Sequence, residues 1–170
     1  MFCAVDVQYE NGIARAACVQ FQEWTSVASA AEHVVEVAEV APYVPGEFFK
    51  RELPPLLRVL EAAGALPTLV IVDGYVWLDT AGRPGLGAHL HEALGGRVAV
   101  VGVAKTAFRG ETGAAQVLRG ESAKPLLVSA VGIPLDEAAD GVRRMAGDHR
   151  IPALLKRVDH LARGLLGAGA

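Results

Sequence analysis

The pair Asn11-Gly12 lies between two apolar segments and strongly constrains how this chain can fold. Asn-Gly is a strong signal for a two-residue turn between antiparallel strands, so residues 2–9 and 13–21 are predicted to form a hairpin. Residues 32–40 are rich in valine and stop before Pro42, which favours a third strand over the alternative of a helix. The N-terminal part is therefore predicted to be an antiparallel meander.

After the meander, the chain alternates between helical and strand patterns. Leucines at helical spacing predict a helix over residues 48–63, and Gly64 ends it. The other predicted elements are strands at 68–72, 98–103 and 125–131, helices at 86–94, 134–146 and 152–166, and a polar loop at 109–121. Strands that alternate with helices pair in parallel. The predicted fold class is α/β, a single RNase H-like domain over residues 1–170 with a mixed β-sheet flanked by helices.

Three acidic residues stand where an acid is uncommon. Asp6 interrupts the first apolar strand, and Asp73 ends the apolar run that precedes Gly74. Glu52 falls in the first turns of the helix at 48–63. Converging carboxylates repel one another unless a divalent cation lies between them, and hard oxygen ligands suit Mg²⁺ or Mn²⁺. Asp6, Glu52 and Asp73 are therefore candidate metal ligands, although a buried acid such as Asp6 can also be a structural hydrogen-bond acceptor.

The composition gives no general attraction to nucleic acid, because the net charge is −3. Any such contact would need a local basic surface, for which the alternative is scattered solvated charge. The candidates are Lys50, Arg51, Arg58, Arg83, Arg97 and Arg109. Cys3 and Cys18 lack metal-type spacing and are expected to be core residues in a reducing cytoplasm. No window reaches the roughly 18 apolar residues that a membrane span needs, so no contact with a membrane is expected. The sequence implies no protein partner.

Several short segments occur in the order in which one nuclease family has them. They are Val5-Asp6-Val7, Pro42-Tyr43-Val44-Pro45-Gly46, Lys50-Arg51-Glu52, Val72-Asp73-Gly74, Gly102-Val103-Ala104-Lys105, and Arg150-Ile151-Pro152 leading to Asp159. On these segments the chain resembles endonuclease V, the repair nuclease that acts on strands containing deaminated adenine. The resemblance runs nearly end to end, and several motifs in order are more specific than any one of them.

The resemblance implies roles for the matching residues. Asp6, Glu52 and Asp73 would bind the catalytic metal, and Lys105 would lie near the scissile phosphate. Tyr43 would wedge into the strand beside the lesion, on a loop that its two prolines stiffen. The other candidate contacts to nucleic acid are Pro45, Gly46, Arg51, Gly74 and His89.

Ordinary alternatives remain for several of these side chains. Tyr43 can be an exposed aromatic residue of a proline-rich turn, and Lys105 a solvated surface lysine. His89 and His91 diverge on a helix because they are two residues apart, which favours capping or core roles over a metal pair. The sequence leaves these alternatives open.

Two departures from the family pattern bear on activity and base preference. Asp79 stands where the family has a histidine six residues after the aspartate, and it is either a further metal ligand or an ordinary loop acid. A second family histidine has no counterpart in Ser129-Ala130-Val131-Gly132-Ile133. The chain is also shorter than typical members, mainly after Lys105. Because an ionised aspartate can only accept hydrogen bonds, we expect looser base preference.

The resemblance implies a metal-dependent endonuclease of DNA repair. It would use Mg²⁺, with Mn²⁺ as the alternative, to cut a phosphodiester on the 3′ side of a deaminated base, inosine or deoxyinosine, in DNA or RNA. Two rival hypotheses remain: a nucleic-acid-binding module that kept the fold but lost efficient hydrolysis, and another RNase H-like nuclease. The expected location is the cytoplasm.

Overall fold

The computed structural model describes residues 1–38, 42 and 44–165. These residues form one mixed sheet with helices on both faces, which confirms the predicted RNase H-like α/β fold. The strands are β1 Phe2–Glu10, β2 Ile13–Phe21, β3 Ala31–Val37, β4 Leu69–Asp73, β5 Ala99–Ala104, β6 Ala115–Val117 and β7 Leu126–Val131. The helices are α1 Phe48–Ala62, α2 Leu86–Ala93, α3 Leu135–Arg144 and α4 Ala153–Ala162.

The seven-stranded sheet has the order β3-β2-β1-β4-β5-β7-β6. The first three strands pair antiparallel, as the meander prediction requires. Strands β1, β4 and β5 pair in parallel, which confirms the parallel pairing expected where strands alternate with helices. Strand β7 runs antiparallel to β5 and carries the edge strand β6. The carboxyl ends of β4 and β5 therefore lie together at one edge of the sheet.

The Asn11-Gly12 turn has the backbone that its sequence predicts. Both residues have positive φ, 51° for Asn11 and 78° for Gly12, and Glu10 pairs with Ile13 across the turn. Positive φ at both central positions suits a two-residue turn, because it matches the twist of the two strands. The turn fixes the register in which β1 presents its side chains.

Each face of the sheet has its own apolar core. Helices α3 and α4 pack on one face, against residues such as Ala4 and Ile71. Helices α1 and α2 pack on the other face, against residues such as Val5 and Val7. Side chains alternate between the faces of a strand, so Asp6 lies on the α3–α4 face.

Two details of the predicted elements need correction or restriction. The loop predicted at 109–121 contains the strand β6, Ala115–Val117, whose hydrogen bonds come from β7 rather than from a local pattern. The last helix ends at Ala162, short of the predicted end at residue 166, which lies outside the described residues. Residues 39 and 40 of the third predicted strand also lie outside them. None of the helices that the model describes is long and apolar enough to cross a membrane.

Two arginines tie the segment between α3 and α4 to the sheet. Buried Arg119 follows β6 and donates hydrogen bonds to the backbone carbonyls of Arg143, Met145, Gly147, His149 and Arg150. Arg150 in turn donates to the carbonyls of Lys105, Lys124 and Pro125. The end of β5 is therefore held by the loop that precedes α4.

Candidate active site

Asp6 and Asp73 lie on neighbouring parallel strands. Val5 of β1 pairs with Val72 of β4, and Asp6 and Asp73 are the next residues of these two strands. Gly74 has a φ of 126° and donates its N–H to the carbonyl of Val103, so the chain turns away immediately after Asp73. Asp6 is buried and the side chain of Asp73 is 40% exposed, so the pair spans the boundary between core and solvent.

Lys105 and Asp159 complete the surroundings of this pair. Lys105 follows β5, and its Nζ donates to Oδ2 of Asp73 at 2.7 Å and lies 4.0 Å from Oδ1 of Asp159. Asp6, Asp73, Lys105 and Asp159 line one small cavity of about 30 Å³, whose walls are otherwise apolar. The sheet edge and α4 thus bring three acids and one lysine together.

Asp159 is a site residue that the sequence did not single out. It belongs to α4, its Oδ2 accepts a hydrogen bond from Nε of Arg163 at 2.9 Å, and its Oδ1 is buried without a hydrogen bond. On an amphipathic helix such an acid resembles any solvated charge. The available signal was its place at the end of the Arg150-Ile151-Pro152 segment.

The charges of the acids act on one another. Burial raises the pKa of Asp6 to about 6, with the negative charge of Asp73 adding to the effect and the hydrogen bond from the Val7 N–H opposing it. Burial likewise raises the pKa of Glu52 to about 8, and the charges of Asp6 and Asp73 raise it further. These carboxylates therefore lie within electrostatic reach of one another, in surroundings that disfavour their ionised forms.

Lys105 is the cation that balances the cluster. Burial alone lowers the pKa of its ammonium, but the hydrogen bond to Asp73 and the charges of Asp73, Asp159 and Asp6 outweigh burial and raise it. Lys105 therefore stays protonated near neutral pH, where an ammonium is a point charge suited to a phosphate oxygen.

The donor chemistry of the cluster fits a hard divalent cation. All the acidic ligands offer oxygen, and Oδ2 of Asp6 is buried without a hydrogen-bond partner. Glu52 is buried on α1 and does not line the cavity of Asp6 and Asp73. Within residues 1–38, 42 and 44–165, no three His, Cys, Asp or Glu side chains form a group that could hold a metal ion. Metal binding at these residues therefore requires the carboxylates to close around the ion.

The loop after Asp73 is fastened to β7. Oγ of Ser129 accepts a hydrogen bond from the Val76 N–H at 2.9 Å, and the indole of Trp77 donates to the carbonyl of Ala130. Gly102 on β5 makes this approach possible, since a Cβ there would stand 2.5 Å from the carbonyl oxygen of Gly74. These contacts fix the chain that leaves Asp73 against β5 and β7.

Asp79 has partners within its own loop. Its Oδ1 accepts the N–H groups of Ala81 and Arg83, each at 3.0 Å, and its Oδ2 lies 3.5 Å from Nε of Arg83. Asp79 does not line the cavity of Asp6 and Asp73. Of the two alternatives for this residue, the geometry favours the loop acid.

The candidate contacts to nucleic acid are spread around the cavity. Pro45 and Gly46 form an exposed turn before α1, and Tyr43, the predicted wedge, lies outside the described residues. Gly74 follows Asp73, which lines the cavity. The guanidinium of Arg51 lies over the ring of Tyr9, 3.9 Å from its centroid. His89 stacks on Phe49 of α1 with ring centroids 3.6 Å apart, so it joins α1 to α2.

Three of the six candidate cations of a local basic surface are paired with acids. Lys50 pairs with Glu47, Arg58 with Glu61, and Arg83 with Asp79. All of these pairs lie three or four residues apart in the chain.

Comparison with known proteins gives one consistent result. A family model described as Endonuclease V matches residues 1–121. The Endonuclease V of Streptomyces coelicolor is 35% identical over an alignment that covers 95% of this chain and 77% of the relative. The crystal structure of Endonuclease V from Streptomyces avermitilis superposes with a TM-score of 0.75 at 30% identity, covering 96% of this chain and 80% of the other.

The fold is also shared with a more distant protein. Endonuclease V of Ciona intestinalis, solved in complex with a 24mer DNA containing an inosine followed by a ribo-adenosine, superposes with a TM-score of 0.80. It is 21% identical, and the match covers 96% of this chain and 84% of the other. At that identity the likeness concerns the arrangement of the strands and helices.

Proposed function

This chain belongs to the endonuclease V family, and from that premise we propose that it is a metal-dependent endonuclease of DNA repair. Its substrate is DNA containing a deaminated base, with RNA as the alternative, as the inosine-containing DNA bound by the Ciona relative suggests. The bond cut lies on the 3′ side of the lesion and leaves a 3′-hydroxyl and a 5′-phosphate. The observation that carries the proposal is the cavity in which Asp6, Asp73, Lys105 and Asp159 meet.

Asp6, Glu52 and Asp73 are the proposed ligands of a Mg²⁺ ion, with Mn²⁺ as the alternative and Asp159 as a further acid at the same place. A bound divalent cation lowers the pKa of an attacking water and offsets charge on the departing 3′-oxygen. The support for this ligand set is the raised pKa of Asp6 and Glu52 together with the unpartnered Oδ2 of Asp6. A cation would relieve the repulsion that these carboxylates exert on one another.

Lys105 has the proposed task of binding the scissile phosphate. Its ammonium already lies among the acids, 2.7 Å from Asp73, so a phosphate that approaches the acids also approaches this cation. The charge on Lys105 offsets negative charge that develops on the phosphoryl oxygens. The apolar side chains on the cavity side of Lys105 reduce screening by water there and strengthen that interaction.

The outer contacts of the substrate belong to the same proposal. The exposed turn at Pro45 and Gly46, with Tyr43, would meet the strand beside the lesion, and Gly74 would let the strand approach the crevice. Arg51 and His89 would act from α1 and α2. Residues 1–170 would work as one domain, and the free thiols of Cys3 and Cys18 support the cytoplasm as its location.

Cleavage assays with matched oligonucleotides test the proposal. Purified protein is incubated with inosine-containing and undamaged DNA and RNA strands in Mg²⁺, Mn²⁺ or EDTA. We expect cleavage of the inosine strands with metal only. Asp73→Asn should lower the rate at least about a hundredfold, because several kcal/mol of charge stabilisation is lost and each 1.4 kcal/mol is tenfold. Asp140→Asn, on the exposed face of α3, is the matched control and should leave the rate unchanged.

The same assay decides between this function and the binding-module hypothesis. Failure of the wild-type protein to cut any inosine strand with either metal, combined with retained binding, would favour the module. Cleavage of undamaged strands at the same rate as inosine strands would instead favour a different RNase H-like nuclease.

A further inference from the structure

A second cavity adjoins the candidate active site and is lined mainly by basic side chains. Its volume is about 300 Å³. The basic residues that line it are Lys105, His149, Arg150, Lys156 and His160. Lys105 and Asp159 line both this cavity and the small acidic one, so the two spaces share a wall. We call this space the basic cavity.

The cations of the basic cavity differ in what they can bind. Arg150 is engaged with three backbone carbonyls and shapes the floor of the cavity. Lys105 is paired with Asp73. Lys156 is exposed on α4 and forms no ion pair with any residue that the model describes. Its ammonium is therefore available to an anion from outside.

The acids near the basic cavity do not cancel its charge. Asp159 is the acid that lines it, and Oδ2 of Asp159 is already paired with Arg163. Asp148 stands next to His149 in the chain, and its charge acts on the buried Arg119. Among the residues that the structure describes, neither acid forms an ion pair with Lys156.

From this geometry we propose that the basic cavity binds a phosphate of the nucleic-acid strand next to the scissile one, with Lys156 as the contacting residue. The inference rests on the proposed function, because it places the scissile phosphate at Lys105. A strand crossing from the acidic cavity passes over the shared wall into the basic cavity. Since the net charge of the chain is −3, a local contact of this kind is needed to hold a polyanion.

Salt dependence of binding measures a phosphate contact directly. Binding of a short fluorescein-labelled undamaged strand and of its inosine counterpart is titrated in EDTA at several salt concentrations. Lys156→Ala should weaken both strands severalfold and equally, and should lower the slope of log K against log salt by about 0.7 to 0.9. Lys156→Arg should keep the slope. Arg144→Ala, which removes an exposed cation on α3, should change nothing.

Single neutral linkages locate the contact along the strand. A methylphosphonate placed next to the scissile position should weaken binding to the wild-type protein and have no further effect on Lys156→Ala. An unchanged salt slope for Lys156→Ala, or equal losses for every methylphosphonate in both proteins, would overturn the proposal. Competition by inorganic phosphate or a mononucleotide as strong as that by the strand would also overturn it, in favour of a small phosphate ligand.

These outcomes are independent of the cleavage assay. A protein that cuts nothing but shows the expected change in slope would disprove the proposed activity and leave the basic cavity as a phosphate site. If the wild-type protein cuts inosine strands and Lys156→Ala leaves the salt slope unchanged, the proposed activity stands and the phosphate site in the basic cavity is disproved.

Discussion

Single residues of the acidic cluster are destabilising in their ionised form. Asp6 and Glu52 have raised pKa values, about 6 and about 8, because burial and the neighbouring acids disfavour their negative charge. A carboxyl group with a raised pKa in the folded protein contributes stability that is present below its unfolded pKa and is lost as the pH rises through the folded value. Ionisation of Asp6 and Glu52 therefore lowers the stability of the folded protein.

We predict that the metal-free protein becomes less stable between about pH 4 and pH 8, the window that these pKa values define. The contribution of the two groups is on the order of a few kcal/mol. Asp6→Asn should flatten this dependence, since the amide keeps the shape and cannot ionise. Urea unfolding in EDTA across the pH range measures it, with Asp140→Asn as the control. Identical pH profiles for wild type and Asp6→Asn would contradict the prediction.

At the scale of elements, the loop between α3 and α4 depends on one buried side chain. Arg119 holds carbonyl groups on both sides of this loop, and no carboxylate pairs with it among the described residues. Removing the guanidinium leaves one buried and several partly buried carbonyl oxygens without this donor, and the loss at a buried carbonyl costs about 1–3 kcal/mol.

We predict that Arg119→Met lowers the free energy of unfolding by about 2–4 kcal/mol. Arg144→Met removes an exposed arginine from α3 and serves as the control, with little effect expected. Denaturant unfolding measures both variants. A loss no larger than that of the control would show that water replaces the guanidinium at these carbonyls.

The elements that the sequence predicted are those with local signals. The Asn11-Gly12 turn and the period of the leucines in α1 are encoded within a few residues, and both appear as expected. Strand β6 could not be predicted, because its three residues gain their hydrogen bonds from β7 alone. Asp159 was named in a family segment and not as a site residue, because its place in the cavity comes from the docking of α4 beside β1.

At the scale of the whole molecule, metal binding and folding are linked. A ligand that binds only the folded state stabilises it in proportion to the logarithm of its concentration above Kd. The acids involved come from β1, α1 and β4, so a cation held by them would join both faces of the sheet. Global stability therefore reports on the site without any nucleic acid.

We predict that, at pH 8, each tenfold rise in free Mg²⁺ or Mn²⁺ above Kd adds about 1.4 kcal/mol to the free energy of unfolding. Asp6→Asn should reduce this gain, whereas Asp140→Asn should not. Thermal unfolding over a metal titration measures the effect. A transition temperature that does not respond to either metal would exclude Asp6, Glu52 and Asp73 as ligands.

Arg150 also bears on how the chain can change in length. Its guanidinium binds the carbonyls of Lys105, Lys124 and Pro125, and so fastens both ends of the excursion at residues 106–123. Between Lys105 and the start of β6 at Ala115 the excursion has no helix or strand, so lengthening or shortening it there changes mainly its closure entropy, which grows slowly with the number of residues. Insertions and deletions in this stretch are therefore expected to leave Lys105 in place, because Arg150 and the pairing of β6 with β7 hold its two ends.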